Sequence, residues 1–161
     1  IEAQITNGTI RKQEDGSYIV RPTVAGKNCA ITVFANIQGQ KKELQAQVFR
    51  VKDVPDPVAK VNGLRSGKVR KNMLLAAGQV DVEMENFDFD LNFTVENFSV
   101  YTVVEGYVQE ETKSNKARFS DAQLKMINKL KRNQALTIEN IIVKGPDGST
   151  RQLPSISFRI D

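Results

Sequence analysis

Histidine is absent from the 161-residue sequence. Its absence removes the commonest general base, the commonest metal ligand and the side chain that titrates nearest neutrality. Tryptophan is absent too, and aromatic residues make up only 7% of the chain, so few rings are available to stack on bases or sugars. The single cysteine, Cys29, can form neither an internal disulfide nor a cysteine-based zinc site. It sits in the apolar strand pattern Asn28-Cys29-Ala30-Ile31-Thr32-Val33, with no imidazole to activate it, and is expected to be a buried, inert thiol. No apolar run approaches the roughly 18 residues needed to span a bilayer, and no signal peptide opens the chain. The serines lie in neither a Gly-x-Ser-x-Gly elbow nor a Ser-x-x-Lys pair. Gly63-Leu64-Arg65-Ser66-Gly67-Lys68 lacks the full spacing of a phosphate loop and a preceding buried strand, so it reads as a flexible loop. Catalysis, a metal and a cofactor are not expected, and neither is a small-molecule substrate.

What the chain does have is strand patterning. Forty per cent of its residues are apolar, enough for packed cores. Val54-Pro55-Asp56-Pro57 places two prolines one residue apart, which stops a strand and stiffens the connection. A boundary is expected there, with one domain over 1–53 and another over 54–161. The first segment reads as strands throughout. Asp15-Gly16 is a tight-turn signal between Thr9–Lys12 and Tyr18–Arg21. Ile31, Val33, Ala35 and Ile37 alternate with more polar neighbours, Gln38 to Lys41 turn the chain, and Leu44, Ala46 and Val48 alternate on the return. Four or five strands suggest an Ig-like sandwich, of which a complete example needs about seven. The chain opens directly on the alternation Ile1-Glu2-Ala3-Gln4-Ile5, so the sandwich is expected to be truncated, its opening strands missing.

The second segment reads as an α+β domain of antiparallel strands with one packed helix, making the whole mainly β with minor α. A short helix is expected around Val69–Ala77, closed by Gly78 as a C-terminal cap. Val80, Val82 and Met84 alternate in one phase, and Phe87, Phe89, Leu91, Phe93 and Val95 in the other. The slip at Glu85-Asn86-Phe87 demands a bulge or turn, as does a second at Glu96-Asn97, because one residue of register sends every side chain to the opposite face. The main helix is expected from Ser120 to about Arg132. Ser120 and Gln123 form a capping box, Phe119 and Leu124 a hydrophobic staple, and Leu124, Met126, Ile127 and Leu130 the buried stripe. A hairpin closes the chain, with Leu136–Lys144 outgoing, Gly145-Pro146-Asp147-Gly148 turning and Arg151–Ile160 returning. Pro154 marks the return as an edge or bulged strand.

Charge is the one polar feature that stands out. Lys plus Arg total 23 and Asp plus Glu 19, a net +4. That is mildly basic, without the interleaved aromatics of a nucleic-acid binder. The charges are segregated, however. Residues 81–111 hold nine acids and no base, 113–132 seven bases and one acid, and 60–71 five bases and no acid. Asp81, Glu83 and Glu85, with Asp88 and Asp90, could in principle bind calcium, but the loop pattern is missing and the period-two spacing is that of a strand's solvent face. The blocks either pack against one another or present complementary patches to protein partners. Lys125, Lys129 and Arg132, spaced four and three residues apart on the expected helix, form one candidate contact. Asp88 and Asp90 form the other.

Several stretches together are similar to a known family. Val51-Lys52-Asp53-Val54-Pro55-Asp56-Pro57-Val58-Ala59 resembles the interdomain signature of the GldM/PorM proteins. Glu85-Asn86-Phe87-Asp88-Phe89-Asp90-Leu91 resembles their last domain, as does the ending, Lys144-Gly145-Pro146-Asp147-Gly148 followed by Leu153-Pro154-Ser155-Ile156-Ser157-Phe158. The first 50 residues match more loosely, as the tail of the preceding domain. The resemblance implies the periplasmic region of a Bacteroidetes protein of type IX secretion and gliding motility. Its parent would carry one N-terminal inner-membrane helix and a homodimeric periplasmic arm. With an inner-membrane partner of the GldL/PorL type it would form a proton-driven motor, and its last domain would reach the outer-membrane-associated ring of GldK–GldN or PorK–PorN type. A surface- or carbohydrate-binding sandwich is the alternative, and it would want more exposed aromatics than Tyr18, Tyr101 and Tyr107 supply.

Overall fold

Val51 to Pro57 carry no regular structure, and the chain divides there into two compact units, Ile1–Val54 and Pro55–Asp161. The computed structural model describes residues 1–87, 91–111 and 113–161.

The first unit is built from β1 (Glu2–Ile5), β2 (Thr9–Lys12), β3 (Tyr18–Arg21), β4 (Asn28–Ile37) and β5 (Gln40–Arg50). β1, β4 and β5 form a three-stranded sheet and β2 pairs with β3, all antiparallel. The β4–β5 loop is only Gln38 and Gly39, with φ of 53° and 79°. Two successive positive φ values are the type I′ geometry that suits the right-handed twist of a hairpin. At the β2–β3 turn, Asp15 Oδ1 accepts from Ser17 N at 2.9 Å and from Ser17 Oγ at 2.7 Å. Cys29 is buried in β4, as its setting implies.

The alternation of Leu44, Ala46 and Val48 does not make a buried face. Gln47 and Gln45 pair across from Ile31 and Val33, while Ala46 and Val48 pair across from Thr32 and Ala30. A register shift between Val33 and Phe34 leaves Leu44 as the extra residue, and every residue of β5 is exposed.

The second unit runs β6 (Val58–Lys60), β7 (Ser66–Val69), α1 (Lys71–Ala77), β8 (Asp81–Glu83), β9 (Thr94–Val104), β10 (Tyr107–Glu111), α2 (Asp121–Lys129), β11 (Ala135–Lys144), β12 (Thr150–Leu153) and β13 (Ile156–Ile160). The main sheet has the order β10-β9-β11-β13-β7 with β12 beside β11, and β6 pairs with β8. Its pairs are antiparallel except β13–β7, which is parallel. Phe98, Val100, Leu136, Ile138, Phe158 and Ile160 share a core with Leu74 of α1 and with Ile127 and Leu130 at the end of α2. Both helices pack, not one alone. The Phe98 and Phe119 rings meet edge to face at 5.3 Å, an arrangement favoured by the ring quadrupoles.

Five local expectations need correction. Gly63 to Lys68, read as a flexible loop, runs instead into β7, where Ser66, Gly67 and Lys68 pair with Ser157, Phe158 and Arg159 of β13. The helix expected at Val69 begins at Lys71, because Val69 ends β7 with its side chain buried. Gly78, at φ 64°, does close it, donating to Leu74 O. Helix α2 stops at Lys129 rather than near Arg132. Leu130 leaves helical geometry at ψ 137° while staying buried. The ammonium of Lys71 takes over the freed carbonyls of Asn128 and Leu130 at 2.7 and 3.1 Å. The two alternating runs either side of Glu85 are mostly not strand. Of the first, Val82 alone lies in β8; of the described residues of the second, Val95 alone lies in β9, which belongs to a different sheet. Asn86, at φ 53°, lies in the expected turn, and Phe89 is outside the described residues. Finally, Pro154 lies in the break between β12 and β13. β13 is an interior strand between β11 and β7, and β12 pairs with β11 alone among the described residues.

The second slip takes the form of an irregularity. Ile142 pairs with Asn97 and Val143 with Val95, skipping Glu96. Burial then changes phase, from Val95 on one side of the slip to Phe98, Val100 and Thr102 on the other.

Candidate functional site

Lys60 and Asp81 are opposed in the β6–β8 pair, as are Val58 and Glu83. This register places the front of the first basic tract on the acidic one. The Lys60 ammonium pairs with Glu83 and, at 2.8 Å, with Glu85, while Arg65 pairs with Glu85. Asp81 accepts from Gln79 Nε2 at 2.6 Å. Asp81 and Glu83 are exposed, as the period-two reading requires. These two blocks therefore neutralise each other in part. The described residues hold no group of three acidic or cysteine side chains placed to bind a metal ion. Asp88 and Asp90 lie outside the described residues.

The remaining acids of the tract lie on the β9–β10 hairpin. Its loop, Glu105 and Gly106 at φ 53° and 83°, has the same two-residue geometry as the β4–β5 turn. Tyr101 donates its hydroxyl to Glu110 Oε1 at 2.6 Å. This bond holds the phenol above its ordinary pKa, with slight burial adding to the effect. Val103, Tyr107 and Val108 are exposed beside it.

The three basic candidates do not form one helical stripe. Lys125 and Lys129 are exposed on α2 at the i, i+4 spacing. Arg132 lies past the helix end, in a turn closed by Gln134 N donating to Lys131 O, with Asn133 at φ 67°. Its guanidinium lies 3.7 Å from Asp161. Sequence spacing gave no sign of this, because the helix end depends on Lys71, far away in the chain.

A cleft of about 510 Å³ opens among residues that include Pro57, Val58, Arg65, Ser66, Pro154 and Ser155. Its charged lining residues are already engaged, Arg65 with Glu85 and Asp56 with Arg151 at 3.0 Å. Arg151 also donates to Pro55 O and stacks over Phe93 at 5.1 Å. This arginine thus pins the start of the second unit rather than preparing a reacting centre.

Gln123 was legible in the sequence only as a cap. Its side-chain oxygen accepts from Ser120 N at 3.0 Å, completing the capping box. Its amide also donates to the carbonyls of Phe98 and Glu111 at 3.3 and 3.2 Å. A glutamine that is fully buried therefore locks α2 to β9 and β10.

No curated protein matches the sequence. Two family models do match, one after the other: the GldM third domain over residues 1–52 and the GldM C-terminal domain over residues 55–161. The junction between them falls on the proline-bearing connection where the two compact units part, and the chain belongs to the GldM family.

Proposed function

We propose that this chain is a non-enzymatic segment of the periplasmic arm of a type IX secretion and gliding machine, a structural and interaction module that links an inner-membrane motor to the outer-membrane-associated ring. GldM domains mark a gliding and type IX secretion component. The finer reading rests chiefly on two such domains following one another along the chain. No helix among the described residues is long and apolar enough to cross a membrane. The parent would be anchored by a separate N-terminal helix, pair with a GldL/PorL-type protein in the inner membrane, and act as a homodimer in Bacteroidetes. The second unit would meet ring proteins of the GldK–GldN or PorK–PorN type through charged surface. A pull-down of the chain against purified ring proteins tests this, with retention of the ring as the expected outcome. Failure to retain any ring component at low salt would reject the linking role. Light scattering tests the homodimer, which a monomer at high micromolar concentration would contradict.

A further inference from the structure

The basic tracts are not equal once folded. The front of the first, Lys60 and Arg65, is taken up by Glu83 and Glu85. Its back half, with Lys68, Arg70 and Lys71, is carried by β7 and the start of α1 to a different place. There the C-terminal ends of β7, β13 and α2 converge. Lys68 pairs across from Arg159 in the parallel β7–β13 ladder. Arg159 donates to Asn133 O at 3.1 Å, and Asn133 N donates to Ile160 O, which sets the Lys131–Arg132 turn against the end of β13. Lys71 reaches the last carbonyls of α2, which places Lys129 beside the start of α1.

One rim therefore gathers Lys68, Arg70, Lys129, Lys131, Arg132 and Arg159, all exposed. Among the described residues, the acid paired with any of them is Asp161, 3.7 Å from Arg132. We propose that this rim, assembled from three separated stretches of sequence, is a docking site for an acidic segment of a partner protein. The proposal rests on the interaction role above and specifies the chemistry of the partner.

Two observations favour a protein over a lipid surface. Half of the six cations are arginines, whose planar forks grip carboxylates in pairs. Membrane docking draws also on exposed apolar side chains that enter the interface. On the adjoining helix α1 the large apolar residue exposed is Met73 alone, and only at 40%. Unmatched like charge at close quarters raises the encounter rate with an oppositely charged chain, and the effect weakens as salt screens it.

The test uses the whole chain and a fluorescently labelled oligoglutamate peptide, followed by anisotropy at low and physiological salt. Lys68→Glu with Lys129→Glu reverses two exposed charges of the rim and spares Lys71, which caps a helix. Lys27→Glu with Lys42→Glu makes the same change of net charge in the first unit. Denaturant midpoints confirm folding, and the neutral pair Lys68→Gln with Lys129→Gln stands in if reversal disturbs it. The expected result is about a tenfold or greater loss of peptide affinity for the rim variant, a flatter salt dependence, and little change for the control. Equal losses in both variants would mean a response to net charge alone and would overturn the proposal, as would no binding at low salt. Rim-dependent binding to phosphatidylglycerol vesicles in preference to the peptide would overturn it in favour of a membrane. Retention of ring proteins by the rim variant would separate failure of this inference from failure of the linking role.

Discussion

Lys71 Nζ lies 3.1 Å from the carbonyl oxygen of Leu130, so the first helix of the second unit caps the last turn of the second helix. The positive charge sits where the helix carbonyls have no intrahelical partner and the dipole is negative. Lys71→Met keeps the aliphatic stem but removes the donor. It is expected to lower stability by about 1–2 kcal/mol in urea denaturation, more than a surface change. Lys125→Met, on the exposed face of α2, should change it by less than about 0.5 kcal/mol. Equal effects would remove the capping role.

Gln123 should be the most sensitive polar position in the second unit. Truncation to Ala empties a fully buried site and strands the carbonyls of Phe98 and Glu111 without their donor. A loss of about 2–4 kcal/mol is expected, from unsatisfied buried groups plus lost packing. Hydrogen exchange should show the start of α2 opening more often in the variant. A stability change below about 0.5 kcal/mol would contradict the lock.

Asp147 and Asp15 repeat one device in the two units. Asp147 Oδ1 accepts from Ser149 Oγ and N at 2.7 and 3.0 Å, as Asp15 does from Ser17. In both, the bond from the serine hydroxyl is the main cause holding the carboxyl below its ordinary value, and the backbone bond adds to it. A folded pKa below the unfolded one means a contribution fully present above the unfolded value, about 3.9, and lost as pH falls through the lower folded value. Acid titration followed by NMR should give Asp147 a midpoint below that of a peptide aspartate. Ser149→Ala should move it back up, and no movement would refute the assignment.

Reversing Lys125, Lys129 and Arg132 together to Glu should leave the fold within about 1 kcal/mol, because an exposed ion pair such as that of Arg132 with Asp161 contributes little. Circular dichroism and the urea midpoint check this. A collapse of the far-ultraviolet signal would mean that one of the three carries structural weight absent from its contacts.

Much of this fold is written in local sequence. The capping box at Ser120, the glycine cap at Gly78 and the Asp15-Gly16 turn each need only neighbours a few residues away, and each is found where those neighbours place it. The slip at Glu96-Asn97 was equally readable, because it shows in the parity of apolar residues. What could not be read depends on distant partners. The end of α2 needs Lys71, the interior position of β13 needs β7, and the second role of Gln123 needs the carbonyls of β9 and β10. The charge blocks were visible as sequence. Which acids neutralise which bases was not, since the β6–β8 register sorts Lys60 from Lys68.

The second unit is proposed to hold the outer-membrane-associated ring through its charged surface. Isothermal titration of the chain into the purified ring complex, repeated across a range of ionic strength, tests it most directly. Saturable binding that weakens steadily as salt rises is expected, with a shallower dependence when Lys125, Lys129 and Arg132 are reversed. Saturable binding that ignores both salt and the reversal, or no binding at any salt, would contradict it.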